Sequence, residues 1–323
     1  MITQAQLQRH ARQAGYTNAS FFETEVILTL MLEMFLERGL AEKLAFKGGT
    51  FLRKMIFGPG GRLSTDLDFT AIGDADPQDM LLDIMTALSE PYRGLSFSYE
   101  KDKDVYVTED GCSANPIVKH EWNSRGTKIK IQVSMREKPT LPLMLTPQIA
   151  QPYFNDLDFK PSPFPSLALE EVIAEKIRAG QQRAKVRDLW DLSELATRPF
   201  DRDAVRKLAV LKVWQANEGV GFDHAAFISK ISQKNSYDES DLRQLLRKDR
   251  SKIDLGKLVS RVTDNFAFLS SLTEDEIILS KDVRRAEVSL YQLSTKEFAN
   301  ETGQTPVQTC EAEAADDRSG PSL

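Results

Sequence analysis

The chain has 323 residues, 41% of them hydrophobic and 28% charged, which is the composition of an ordinary soluble globular protein. Its formal net charge of −6 excludes strong, indiscriminate binding to nucleic acid but leaves room for a local basic patch. No apolar run nears the roughly 18 residues of a membrane span, and the polar start MITQAQLQRHARQAGY has no apolar signal core, so the sequence points to the cytoplasm. Cys112 and Cys310 are far apart and read as unpaired thiols in a reducing compartment. His10, His120 and His224 have no ligand spacing, which argues against a zinc site or a Cys/His nucleophile.

In chain order, residues 20–38 read as a strong helix, capped by Asn18 or Ser20, ended by Gly39, and apolar on most faces. Residues 46–57 read as a turn followed by a second helix, broken by Gly58-Pro59-Gly60-Gly61. Residues 65–72 form a strand, and 77–89 a helix. Short alternating stretches at 95–99 and 104–108 read as antiparallel strands, and 117–122 with 128–135 as a hairpin closed by residues 123–126. In that last strand Ile129, Ile131 and Val133 share one face, while Lys128, Lys130, Gln132 and Ser134 share the other. A proline-rich crossing over 139–165 is the candidate domain boundary, and from 166 to about 295 the chain reads as helical, with helices at 166–183 and 186–197. The expected fold class is α+β: a first domain over residues 1–160 with a small, mostly antiparallel sheet, a helical domain over 161–299, and a disordered polar tail over 300–323. A nucleotide would bind in the cleft between the domains.

The segment KGGTFLRKMIFGPGGRLSTDLDF carries the chemistry. A strand places Asp66 and Asp68 on one face, about 7 Å apart, and Leu67 and Phe69 on the other. Two carboxylates beside buried apolar residues need a cation, either a divalent metal that prefers oxygen ligands or a basic side chain. The Gly48-Gly49-Thr50 turn leads into a helical run, so its backbone amides, the Thr50 hydroxyl and Arg53 suit a phosphate, with Ser64 and Arg62 near the strand entry. A second cluster holds Glu175, Lys176 and Arg178, then Arg187, Asp188 and Asp191, which put the two aspartates on one side of a helix. Lys176 is a candidate point charge for nucleotide phosphates; a solvated, ion-paired helix is the alternative.

These motifs resemble the AbiEii/AbiGii nucleotidyltransferase toxins of type IV toxin–antitoxin and abortive-infection systems, which include the MenT-type toxins and belong to the polymerase-beta-like nucleotidyltransferases. The resemblance rests on KGGTxLRK, RxSxDLDF, EKIRA and RDLWDL in that order, over roughly residues 20–260. It implies that Gly48, Gly49 and Thr50 form the phosphate turn, with Thr50 in place of serine, and that Asp66 and Asp68 bind Mg²⁺. It also implies active-site roles for Ser64, Lys176 and Asp188, with Asp191 in the same Arg-Asp motif. The implied activity is transfer of a nucleoside monophosphate from a nucleoside triphosphate to RNA, notably a tRNA 3′ end, blocking translation, with a nearby-encoded antitoxin that forms no stable complex. There are two departures. The Gly58–Gly61 loop lengthens the spacing from Thr50 to Asp66, and Gln132 stands where such enzymes usually place a third carboxylate. Either Asp188 supplies the missing acid, or metal binding is weaker, or the hydroxyl proton leaves to water. The basic residues Arg243, Arg247, Lys248, Arg250, Lys252 and Lys257 are a candidate acceptor track. Transfer to a protein or small molecule, or nucleotide binding without catalysis, are the alternatives.

Overall fold

The structure is a computed structural model that describes residues 1–16, 18–100, 104–216 and 219–301; the expected tail, with Cys310, lies outside the described residues apart from its first two positions. Two helices open the chain. In α1 (Gln4–Gln13) Thr3 caps the start and Gln6 completes a capping box. In α2 (Ala19–Glu37) the Asn18 side chain accepts from the Ser20 amide, and Gly39, at φ 72°, turns the chain out of the helix. As its apolar composition requires, α2 is buried along most of its length.

The chain then enters the sheet through β1 (Leu44–Lys47), so Phe46 lies in a strand rather than in the expected turn. It continues into α3 (Gly48–Phe51), which winds on as π-helix over Leu52–Phe57 before the glycine loop. β2 (Asp66–Ala71) is the aspartate strand, and α4 (Pro77–Ala87) follows, with Asp76 as its cap and Pro77 in its first turn. Next come β3 (Ser96–Ser98), β4 (Val105–Thr108), β5 (Gly111–Ala114), β6 (Ile117–His120), β7 (Asn123–Lys128) and β8 (Lys130–Ser134). The expected hairpin is corrected here. The supposed turn at 123–126 is itself strand, β6 pairs with β7, and β8 leaves to lie parallel to β2. β9 (Met144–Thr146) and β10 (Phe164–Ser166) come from the proline-rich crossing.

Seven strands form the main sheet in the order β4-β5-β8-β2-β1-β10-β9; β8–β2 and β1–β10 are parallel and the other pairs antiparallel. A second antiparallel sheet holds β3-β6-β7. The rest is helical: α5 (Leu169–Gln182), α6 (Val186–Leu195), α7 (Arg202–Ala216), α8 (His224–Ile231), α9 (Ser240–Arg243), α10 (Leu255–Asn265), α11 (Glu274–Lys281) and α12 (Val288–Glu301). The fold is α+β. No helix among the described residues is long and apolar enough to cross a membrane.

Alternation on the strands decides which face does what. Phe46 and Phe69 sit opposite each other in the β1–β2 ladder, ring centroids 5.3 Å apart, and Phe35 of α2, Phe51 and Phe164 close around them at 5.7–6.0 Å. This cluster fixes the sheet against α2, so Lys47 and Asp68, one residue along on each strand, must face the other way. Truncating the centre of the cluster leaves a cavity that rigid neighbours cannot fill. Phe69→Ala is expected to lower unfolding free energy by about 3–5 kcal/mol, read from the urea midpoint at unchanged slope.

Candidate active site

On the sheet face opposite the phenylalanines, the β1–α3 turn meets Asp68. Gly48 has φ +80°, and a Cβ there would lie 2.4 Å from the Asp68 carboxylate oxygen Oδ2 and 2.9 Å from its Cβ. A Cβ on Gly49 would lie 2.6 Å from the Arg62 guanidinium and 3.2 Å from Ser64 Oγ. The glycine pair is therefore demanded by contact: the first by Asp68, the second by Arg62 and Ser64. Burial, the charge of Asp66 on the same strand face, and too little compensation from Lys47, Lys176 and Lys130 raise the Asp68 carboxyl above its ordinary value. Such a carboxylate is short of positive charge, which suits a divalent cation. Among the described residues no third acidic, His or Cys side chain completes a metal-ligating group of three, so Asp66 and Asp68 are the carboxylates that could hold a cation here.

A chain of buried charges closes the site from the helical side. Arg62 donates from Nε (2.8 Å) and Nη2 (2.7 Å) to the two oxygens of Asp191. The Lys176 ammonium lies 2.9 Å from both Asp191 Oδ2 and Asp188 Oδ1, and Arg183 Nε donates to Asp188 Oδ2 at 3.0 Å. Burial alone would raise the Asp188 carboxyl; Lys176 and Arg183 outweigh it and hold it well below the carboxylate range. Burial likewise opposes the charge on Lys176, but Asp188 and Asp191 raise its proton affinity above the usual ammonium value.

A second chain runs alongside. Lys47 Nζ donates to Glu175 at 3.0 Å, and fully buried Lys212 lies 2.5 Å from Glu171, 3.8 Å from Glu175 and 3.7 Å from Glu137. Between the two chains and the sheet is a cavity of about 360 Å³, walled by Lys47, Gly48, Asp68, Gln132, Lys176 and Asp188 among others.

The structure thus brings Gly48, Asp68, Lys176 and Asp188 to one cavity. Gly49 and Ser64 pack beneath the turn against Arg62, and Asp191 is buried behind Lys176. Asp66 shares the face of Asp68 but stands outside the cavity wall, its carboxylate accepting from Thr65. Two expected phosphate contacts point elsewhere. The Thr50 hydroxyl is buried and donates to the Asp66 carbonyl at 2.5 Å. Arg53 is buried against Glu25 and the Gly58 and Gly61 carbonyls, away from the cavity, because the helix it rides turns it toward α2. The basic stretch is no bare track either: Arg243 pairs with Glu239, Arg247 with Asp249, and Arg250 with Glu194 while stacking on Trp190. Nor does Asp188 join the aspartate pair; it is spent on Lys176 and Arg183.

The sequence matches the family model described as nucleotidyl transferase AbiEii toxin, type IV toxin–antitoxin system, over residues 30–269, well over half of the chain. The chain belongs to the AbiEii nucleotidyltransferase toxins. Among solved structures it is similar to MenT4, a nucleotidyltransferase toxin of Mycobacterium tuberculosis H37Rv, at 25% identity and a TM-score of 0.77, over 92% of this chain and 99% of that one. It is also similar to JHP933 of Helicobacter pylori (16% identity, TM-score 0.43, 85% and 98% of the two chains). A third match is a nucleotidyltransferase-like protein of Helicobacter pylori (17%, 0.43, 80% and 99%). No curated protein matches the sequence. AbiEii membership makes the protein a nucleotidyltransferase toxin with a nucleotide substrate and an antitoxin partner.

Sequence reasoning missed Lys47, Glu175 as its partner, and Lys212. Lys47 immediately precedes the glycine turn, and Lys212 interrupts the apolar run Ala209-Val210-Leu211-Lys212-Val213-Trp214, where a lone charge signals a buried partner.

The charge chain has a pH signature. A carboxyl held low in the folded state stabilises it above the unfolded value near 4 and loses that contribution as pH falls through the folded value. Asp188→Asn, which breaks a buried pair, is expected to cost about 3 kcal/mol at pH 7, with the gap to wild type narrowing below about pH 4. Denaturant titrations across pH would show it; a pH-independent gap would mean that Asp188 stabilises through packing alone.

Proposed function

We propose that this AbiEii toxin transfers a nucleoside monophosphate from a nucleoside triphosphate to the 3′ end of an RNA, a tRNA, in the cytoplasm, with Mg²⁺ as cofactor, and so blocks translation in phage defence. The supporting observation is the juxtaposition, in one cavity, of Asp68, the glycine turn pressed against it, and two lysines from different elements, Lys47 and Lys176. Asp66 and Asp68 would hold the cation, whose chemistry when bound is to neutralise phosphate charge and polarise the α-phosphate. Because Gly48 and Gly49 carry no side chains, the turn can press against Asp68, Arg62 and Ser64, which sets Asp68 beside the start of α3. Lys47 and Lys176 draw the β- and γ-phosphates and stabilise the charge that builds on them as the bond breaks. The acceptor hydroxyl oxygen forms a bond to the α-phosphorus, the bond from that phosphorus to the β-bridging oxygen breaks, and pyrophosphate leaves with the electron pair; the hydroxyl proton goes to water. The antitoxin acts without a stable complex.

Incubation with total tRNA, Mg²⁺ and each α-³²P-labelled nucleotide tests the reading. Wild type is expected to label tRNA with at least one nucleotide, and Asp66→Ala and Asp68→Ala, still folded by circular dichroism, to label none. Label in protein or a small product instead would change the acceptor, and label retained by folded Asp68→Ala would sink the reading. Gly48→Ala is expected to cost roughly a hundredfold in rate, because the new methyl displaces Asp68 or the turn by about an ångström. Transfer kinetics beside the urea midpoint would separate this from unfolding.

A further inference from the structure

The cavity floor is a single row of side chains drawn across five strands. Register pairs run Lys47 with Asp68, Asp68 with Gln132, Gln132 with Ser113, and Ser113 with Tyr106. All five face the cavity. The row begins at the glycine turn and ends at the edge strand β4, where Tyr106 is 42% exposed. Thr108, two residues along β4, lines the same cavity, while α4 packs against β4 and β5. Tyr106 is thus held on a supported strand with its ring partly exposed at the cavity mouth.

Direction along this row follows from the chemistry, given the nucleotidyl-transfer reading above, on which this step rests. Attacking and leaving oxygens lie roughly in line through the α-phosphorus. The leaving pyrophosphate belongs at the Lys47–Gly48 end, so the attacking hydroxyl must come from the other end, over Gln132 and Ser113. Adjacent strands are about 4.8 Å apart, which puts Tyr106 about 14 Å from Asp68 along the row. That is the room needed for an attacking 3′ oxygen near Asp68, its ribose over Gln132 and Ser113, and the attached base at Tyr106. An exposed aromatic ring binds a base by stacking regardless of its identity, provided the base is unpaired.

We propose that Tyr106 is the platform on which the terminal base of the acceptor stacks, so that the acceptor is a single-stranded RNA 3′ end delivered over β8, β5 and β4. The positively charged segment at 243–257, whose three arginines are ion-paired and which does not line the cavity, is not the track that places the reacting nucleotide.

The test uses the full chain, total tRNA and the labelled nucleotide that wild type prefers. Tyr106→Ala is expected to raise KM for tRNA about tenfold, with KM for the nucleotide and kcat nearly unchanged. Tyr106→Phe, which keeps the stacking face, is expected to match wild type. Filter binding of tRNA without nucleotide is expected to weaken by a similar factor in Tyr106→Ala alone. A Tyr106→Ala enzyme equal to wild type in tRNA KM overturns the proposal. So does one whose defect is in nucleotide KM, which would place the donor base at Tyr106, or a Tyr106→Phe enzyme as defective as Tyr106→Ala. A wild type that labels no RNA overturns the proposed function, and this proposal falls with it.

Discussion

The ammonium of Lys176, shared between Asp188 and Asp191, is the contact on which the arrangement of this molecule depends. Arg62, from the segment that leads into the aspartate strand, grips Asp191 with two parallel hydrogen bonds. α5 supplies Lys176 and α6 supplies both carboxylates. One buried cluster thus ties the sheet's entry loop to two helices of the C-terminal half. Burying these ions costs several kcal/mol each before their attraction repays it, so stability is a poor reason for them. Their balance is more telling. Arg62, Lys176 and Arg183 bring three positive charges against the two carboxylates. Lys176, from this cluster, also lowers the proton affinity of Asp68 across the cavity, but not enough to offset burial and Asp66.

Asp68 and the glycine turn constrain each other just as tightly. β2 must present Phe69 to the aromatic cluster, and strand alternation then gives Asp68 no choice of face. The carboxylate lands where a side chain at position 48 would be, so the turn must lack one. Core packing on one side of a strand has in this way dictated a residue type on a neighbouring loop.

The parts of this design written in local sequence were legible: the cap of α2, the alternation on β2 and β8, the helical spacing of α5 and α6, and four of the residues that meet at the cavity, Gly48, Asp68, Lys176 and Asp188. What failed was whatever depended on distant partners. The segment Gly111-Cys112-Ser113-Ala114 has little strand character by itself and becomes β5 by pairing between β4 and β8. The hairpin was shifted because β7 is polar throughout, so its pattern carries no face signal to set the register. Arg53 follows the glycine turn in sequence, yet Glu25 on α2 captures it, and nothing near residue 53 announces that partner. Lys47–Glu175 and Lys212–Glu171 join residues more than 40 positions apart, beyond the reach of any spacing rule.

Gln132 occupies the register position beside Asp68 where a base would be sought, and its amide cannot accept a proton from an alcohol. Asp188 is no substitute. Its carboxylate is stabilised by two cations, which makes it a weaker base than an exposed aspartate, and general-base catalysis is most effective when the base's pKa lies near the working pH. Asp68 has the raised proton affinity a base requires, but the role assigned to it needs the ionised form. None of Gln132, Asp188 and Asp68 therefore combines position with suitable basicity. Phosphoryl transfer tolerates that, because its barrier falls mainly through alignment and stabilisation of phosphate charge. The proposed roles fall within those two tasks: lysines locked in place by buried carboxylates, and a row of side chains along which an acceptor would be aligned.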